Sequence, residues 1–217
     1  MKLYRHEEAY RGAAGLAKLA SARVVLCGAG AIGSNLADQL ARQGCSNLAA
    51  IDHDRVEEHN IGTQRYARHD IGSLKAQALQ AAVFAATGAE LEAVDKHLTE
   101  KNARKLLRAA DLVVESFDNA RSRRLVQDTC RALPKQCLHV GLFEGYAEVV
   151  WDDRYRIPKD PLRAGTGTAV DVCDLPLARN LIMLAVTVAA EAVVSYLLFG
   201  RHRSFTITLD DLRISES

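Results

Sequence analysis

With 217 residues, 48% of them apolar and 25% charged, the chain has an ordinary globular balance and the length to bury a substantial core without disulfide or metal staples. Its net charge of +1, with arginines spread along the chain, excludes recruitment by bulk electrostatics, so neither a nucleic acid nor a membrane is expected as partner. The cysteines at 27, 45, 130, 137 and 173 are odd in number and form no C-x-x-C pair. With the polar start Met1-Lys2-Leu3-Tyr4-Arg5, they point to reduced thiols in the cytoplasm and away from a four-cysteine zinc site.

In chain order, residues 1–20 read as an alanine-rich helical segment carrying Arg5, Arg11 and Lys18. A β-branched run over 23–28 is the first predicted strand, and Gly28, Gly30 and Gly33 follow it directly. Residues 32–43 then read as a helix with Leu36, Ala37, Leu40 and Ala41 on one face and Gly44 as its stop signal. A second strand over 47–52 completes a βαβ unit, so the sheet is parallel here.

The stretch 53–72 is a long polar loop, of a length that is usually functional in compact domains. Ser73 is expected to cap a helix running to about 87, with Lys75 in its first turn, and 90–94 reads as a short strand. Thr99 is expected to cap a helix to 109. A buried strand over 111–115 leads into Ser116-Phe117-Asp118-Asn119 and a helix to 133, and 137–141 is the next strand.

Beyond it the pattern changes. Residues 145–151 alternate like an antiparallel strand, and 152–178, with Pro158, Pro161 and Pro176, read as an irregular crossing loop. An apolar helix over 181–199 carries Glu191 at its centre, which is costly in lipid and suits a core helix. A strand over 204–209 ends the pattern. The fold class is α/β: a Rossmann-like, mostly parallel sheet with helices on both faces and antiparallel strands toward the C-terminus, in a single domain over 1–217.

The glycine stretch carries the first functional signal. Gly28 permits the turn, Gly30 lets a phosphate approach the backbone, and Gly33 lets the helix pack against the strand. The helix N-terminus then offers N–H groups and partial positive charge to an anion. Asp52 lies at the spacing of an acid that holds ribose hydroxyls. Asp52 and Asp54 follow the second strand, and Asp118 and Asn119 follow the strand before them, at the strand ends where open α/β sheets bind ligands. The bland alternatives are a solvated helix-start lysine at 75, an N-cap at Asp118 and surface histidines at 53 and 59.

These residues recur as an ordered set: Gly28-x-Gly30-x-x-Gly33, Ile51-Asp52-x-Asp54-x-Val56, Asn60, Gly72-x-x-Lys75-Ala76 and Asp118-Asn119-x-x-x-Arg123. In this order and spacing the chain resembles, over about residues 1–213, the ThiF/MoeB/HesA family, the bacterial relatives of ubiquitin-activating enzymes. The resemblance implies a ThiF-type adenylyltransferase that uses ATP and Mg2+ on the C-terminal carboxylate of a small ubiquitin-like or sulfur-carrier protein ending in Gly-Gly. It implies that Asp52 binds the ribose, that Asn60 and Lys75 contact the phosphates, and that Asp118 holds Mg2+, with Asp54 and Asn119 beside them.

Three further assignments come with the resemblance. The family pattern Asn-x-x-Arg-Gln has Thr63 at its arginine position here, so Arg65 is the expected replacement and Arg68 a second candidate. An arginine near the N-terminus enters the second copy's site in the family, which makes Arg5, with Arg11 as runner-up, a catalytic candidate and the enzyme a homodimer. Cys173, in the crossing loop, stands where some members form a thioester or disulfide with the carrier, although Asp171 and Asp174 would raise its pKa. The competing readings are a non-catalytic scaffold or heterodimer subunit, a nicotinamide-dependent oxidoreductase, and a dehydratase-like relative acting on modified tRNA.

Overall fold

The computed structural model describes residues 3–159 and 177–217. One eight-stranded sheet runs in the order β3-β2-β1-β4-β5-β6-β7-β8. Strands β1 (Val24–Cys27), β2 (Leu48–Ile51), β3 (Glu92–Val94), β4 (Leu112–Glu115) and β5 (Gln136–Phe143) are parallel. Strands β6 (Tyr146–Trp151), β7 (Phe205–Thr208) and β8 (Arg213–Glu216) continue the sheet antiparallel. The expected α/β architecture with its antiparallel C-terminal strands is therefore present, with β8 as an added edge strand.

The central strands read as unbroken apolar runs because both faces are covered. Val24 and Leu26 point into one core, and Val25 and Cys27 point into the other. The first core is closed by α1 (Arg5–Ser21), α2 (Ala31–Arg42), α3 (Lys75–Thr87) and α6 (Arg179–Phe199). The second is closed by α4 (Ala103–Leu107) and α5 (Ala120–Ala132). Helix α2 buries Leu36, Ala37, Leu40 and Ala41, the face its periodicity predicts.

Helix α6 is long and apolar enough to cross a membrane by length and composition. Its buried residues, among them Leu181, Ala185, Ala189 and Val193, lie in the core formed with α2 and the sheet. Gly200 ends it in the left-handed region at φ +68°, its N–H donating to Tyr196 O at 2.7 Å.

Three local expectations are corrected. Ser73 does not cap α3: Leu74 holds the N-cap position, drawn into an antiparallel bridge with Arg55, and no side chain caps that helix. Thr99 does not start α4, which begins at Ala103 behind Asn102, because Asn102 Oδ1 takes the Thr99 N–H at 2.8 Å in a preceding turn. The long polar loop is not structureless but contains two 3-10 helices, Glu58–Gly62 and Arg68–Asp70.

Candidate active site

The strand order doubles back between β1 and β4, and the carboxyl ends of these strands open a cleft of about 1040 Å³. That crevice is where an open α/β sheet binds its ligand. The Gly28 N–H donates to Ile51 O and the Ser116 N–H to Cys27 O, each at 3.0 Å, so the two turns that form the cleft floor are tied to the sheet.

The glycines divide their work. A Cβ on Gly33 would lie 1.9 Å from Gly28 O, so α2 can start this close to the turn only with glycine there. A Cβ on Gly30 would meet nothing within 4 Å, and Gly30 lines the cleft. The space above Gly30 is therefore open to the cleft. Among the described residues no side chain caps the N-terminus of α2, an arrangement suited to an anion.

Asp52 is buried at the end of β2. Its Oδ2 accepts the Ala29 N–H at 2.7 Å and its Oδ1 the Asp54 N–H at 2.8 Å. Burial pushes its pKa up, against the pull of those two N–H groups. Each oxygen keeps a lone pair for a further donor such as a sugar hydroxyl. Lys75, the first residue of α3, is buried with its Nζ 3.1 Å from Asp54 Oδ2. It is not a solvated helix-start lysine.

The long loop is anchored where it meets this site. Asn60 is buried, its Oδ1 accepting the Glu57 N–H at 2.9 Å, and it lines the cleft. The Tyr66 hydroxyl lies 2.7 Å from Ala29 O and 3.2 Å from Lys75 O, between the glycine turn and the start of α3. Asn35 of α2 donates to Thr63 O at 2.9 Å. Gln64 lines the cleft, and its buried Oε1 has no hydrogen-bond partner among the described residues.

Across the cleft, Asp118 is exposed and is not the cap of α5. Asn119 is, its Oδ1 accepting the Ser122 N–H at 2.9 Å. Asn119 Nδ2 donates to Asp118 Oδ1 at 3.1 Å. An exposed carboxylate lining the cleft is of a type that fits Mg2+, a hard cation that takes one or two carboxylates with water and phosphate oxygens. Among the described residues, the three side chains whose ligand atoms gather within 4.8 Å are Asp52, His53 and Asp54, a group without Asp118.

Gly28, Gly30, Asp52, Asp54, Asn60, Lys75, Asp118 and Asn119 thus line one cleft, with Gly33 directly behind the turn. Arg65 does not join them. Its Nε faces Asp38 Oδ1 on α2 at 3.4 Å, and its N–H donates to Ser34 Oγ, so the chain leaves the cleft at Gln64. Arg5 is exposed on α1 and lines no part of this cleft. Arg11 is held by Glu7 at 2.8 Å and Glu191 at 3.3 Å. Cys173 lies outside the described residues.

The cleft also contains residues the sequence reading passed over: Lys96 and His97 beyond β3, Glu148 on β6, and Arg156 and Lys159 where the crossing segment begins. Their signal was weak, since each is a lone polar residue in a polar stretch. Arg123, which closes the Asp118-Asn119-x-x-x-Arg123 pattern, also lines the cleft. It is buried, with Nε donating to Phe117 O and Nη1 to the Tyr155 hydroxyl, both at 2.8 Å.

Comparison with known proteins gives the chain's family. A family model described as the ThiF family matches residues 4–210. The SAMP-activating enzyme E1 of Haloferax volcanii is 32% identical over 148 residues, 65% of this chain and 54% of that protein. The sulfur carrier protein adenylyltransferase of Thermus thermophilus is 33% identical over 135 residues, 61% of this chain and 50% of that protein. The chain therefore spans about half the length of these curated relatives. The solved structure of PaaA superposes with a TM-score of 0.80 at 18% identity, covering 100% of this chain and 72% of that one, a likeness of fold.

Proposed function

Because the chain belongs to the ThiF family, we propose that it is an adenylyltransferase that activates the C-terminal carboxylate of a small ubiquitin-like or sulfur-carrier protein ending in Gly-Gly, with ATP as co-substrate. The observation that carries this reading is the meeting of the open Gly30 backbone, Lys75 and Asp118 in one cleft. A dinucleotide would need neither the buried lysine nor the exposed aspartate. The names of the Haloferax and Thermus relatives point the same way.

The carrier carboxylate attacks the α-phosphorus of ATP, a carboxyl oxygen–phosphorus bond forms, and pyrophosphate leaves. The protein's work is to align two anions and to meet the charge that builds on the phosphates. The N–H groups at the start of α2 hold phosphate oxygens beside Gly30. The Lys75 ammonium turns from Asp54 to the phosphates, and the Asn60 amide adds a donor. Asp52 accepts the ribose hydroxyls through the lone pairs its two backbone partners leave free. Asp118 would hold Mg2+, which when bound neutralises phosphate charge.

The same proposal includes a homodimer in the cytoplasm, with Arg5 of each copy reaching the other's cleft, and a second step at Cys173. There the thiolate attacks the acyl-adenylate carbonyl, a thioester forms, and AMP leaves. A carrier adduct retained under non-reducing conditions, absent in Cys173→Ala, checks that step.

ATP–pyrophosphate exchange with a Gly-Gly-ended carrier tests the main reading. Carrier-dependent exchange in the wild type, lost in Asp118→Ala, is expected. Hydride transfer to a nicotinamide without exchange, or the absence of any nucleotide binding, overturns it.

A further inference from the structure

A closed ring of buried contacts lies directly beneath the Asp118 turn. Glu115, at the end of β4, is fully buried. Its Oε1 accepts the Phe117 N–H at 2.7 Å, and its Oε2 faces His139 Nδ1 at 3.0 Å. His139 on β5, also fully buried, turns its Nε2 to Asp152 Oδ1 at 3.2 Å. Asp152 is gripped in turn by Gln127 and Arg131 of α5, each at 2.8 Å. The Tyr155 ring stacks on the imidazole at 3.9 Å and 13°. The Tyr155 hydroxyl accepts from Arg123, and Arg123 returns to Phe117 O at 2.8 Å.

The ring has two consequences. Both main-chain polar groups of Phe117 are held by buried side chains, the N–H by Glu115 and the carbonyl by Arg123, and both holds converge on His139. The imidazole also faces a carboxylate at each nitrogen. A neutral ring would turn one lone pair toward a carboxylate oxygen, whereas the imidazolium donates at both. The facing groups are Glu115 from β4, Asp152 beyond β6, Tyr155, and at longer range Arg123 from α5 and Glu148 from β6. Two carboxylates in direct contact with the imidazole favour the cation, and the Tyr155 face adds a cation–π contact.

We infer that His139 is a positioning residue for Asp118: as an imidazolium it closes the ring that clamps the Phe117 main chain on both sides, and so fixes the turn that aims the Asp118 carboxylate into the cleft. It touches no substrate itself. The proposed adenylation bears on this inference only for what Asp118 does, since the clamp is a property of the fold.

Nitrogen-15 histidine spectra of the full wild-type chain test the first half. Both His139 ring nitrogens protonated at neutral pH is expected, and a neutral ring overturns the inference without any variant. Amide hydrogen exchange tests the second half. In His139→Phe, which keeps the stack and drops the charge, the Phe117 amide should exchange about tenfold faster while Val113 in β4 is unchanged. Unchanged protection at Phe117, or a uniform loss across β4, overturns it.

Calorimetric titration with MgATP links the clamp to Asp118. His139→Phe and Asp118→Asn should each weaken binding, and the double variant should bind no worse than Asp118→Asn alone. Additive effects overturn the link. If the wild type binds no MgATP, the adenylating reading fails, and the spectra and amide exchange still decide whether His139 clamps the turn.

Discussion

Asn119 accepts the Ser122 N–H at 2.9 Å, and Asp118, one residue earlier, is thereby released from capping α5. The two neighbours should separate stability from chemistry. Asn119→Ala is expected to lower the unfolding free energy by about 1 kcal/mol, the usual value of a cap. Asp118→Asn should leave urea stability within about 0.5 kcal/mol of wild type. It should cut ATP–pyrophosphate exchange by about a hundredfold or more. Equal stability losses in the two variants would contradict the division.

The glycines should part in the same way. Gly33→Ala drives a methyl to 1.9 Å from Gly28 O, so the backbone must move. A loss of about 3 kcal/mol or outright failure to fold is expected in urea denaturation. Gly30→Val adds its side chain to open cleft space, so the melting curve should be unchanged while ATP titration shows no binding. A Gly30→Val protein that still adenylates would show that phosphate does not approach this backbone.

Lys75 is buried, and its charge is matched within the site by Asp54 at 3.1 Å. A charge-assisted contact to phosphate contributes about 1.5–3 kcal/mol, so Lys75→Met should raise the ATP dissociation constant by about ten- to a hundredfold. Isothermal titration of wild type and variant measures it. An unchanged constant would place the triphosphate elsewhere in the cleft.

Arg65 gives the matching control. Its pairing with Asp38 lies outside the cleft, and such a surface pair contributes less than about 1 kcal/mol. Arg65→Ala is expected to bind ATP as the wild type does. A loss of binding comparable to that of Lys75→Met would mean the loop swings Arg65 inward when nucleotide arrives.

Asp152 and His139 bracket the pH range of the buried ring. Burial works against the Asp152 carboxylate, but His139, Arg131 and Gln127 override it and hold the pKa down at about 2. The folded value lies below the unfolded one, so this stabilisation is present above the usual carboxylate range and is lost as pH falls through about 2. Burial likewise disfavours charge on His139, yet Asp152 and Glu115 lift its pKa above the usual 6.5. That contribution is full below the unfolded value and is lost as pH rises through the lifted one. The stability gap between wild type and Asp152→Asn should therefore be widest near about pH 5 and narrow toward both ends of the scale. A gap independent of pH would show that the ring is not charged as drawn.

The βαβ start, the glycine turn and the polar strand ends were legible because each is local: strand, turn and helix lie within one short stretch of chain. What escaped depended on pairings between distant segments. Glu115 and His139 are 24 residues apart and meet only because β4 and β5 pair in the register that sets them side by side. Ser73 looks like a cap, but the bridge between Arg55 and Leu74 fixes where α3 begins. Arg65 stands two residues beyond the position of the missing arginine, and that offset in a tightly turned loop sends it to the α2 side. Strand β8 has three charged or polar residues in four and exists because β7 offers an edge to pair with.

The Tyr66 hydroxyl sits between the carbonyls of Ala29 and Lys75, so the turn that would receive phosphate and the residue that would neutralise it share one strut. The spacing between those two halves is set when the chain folds. A nucleotide entering the cleft has little main-chain motion left to arrest there. The ordering entropy of assembling that part of the site belongs to folding rather than to each turnover.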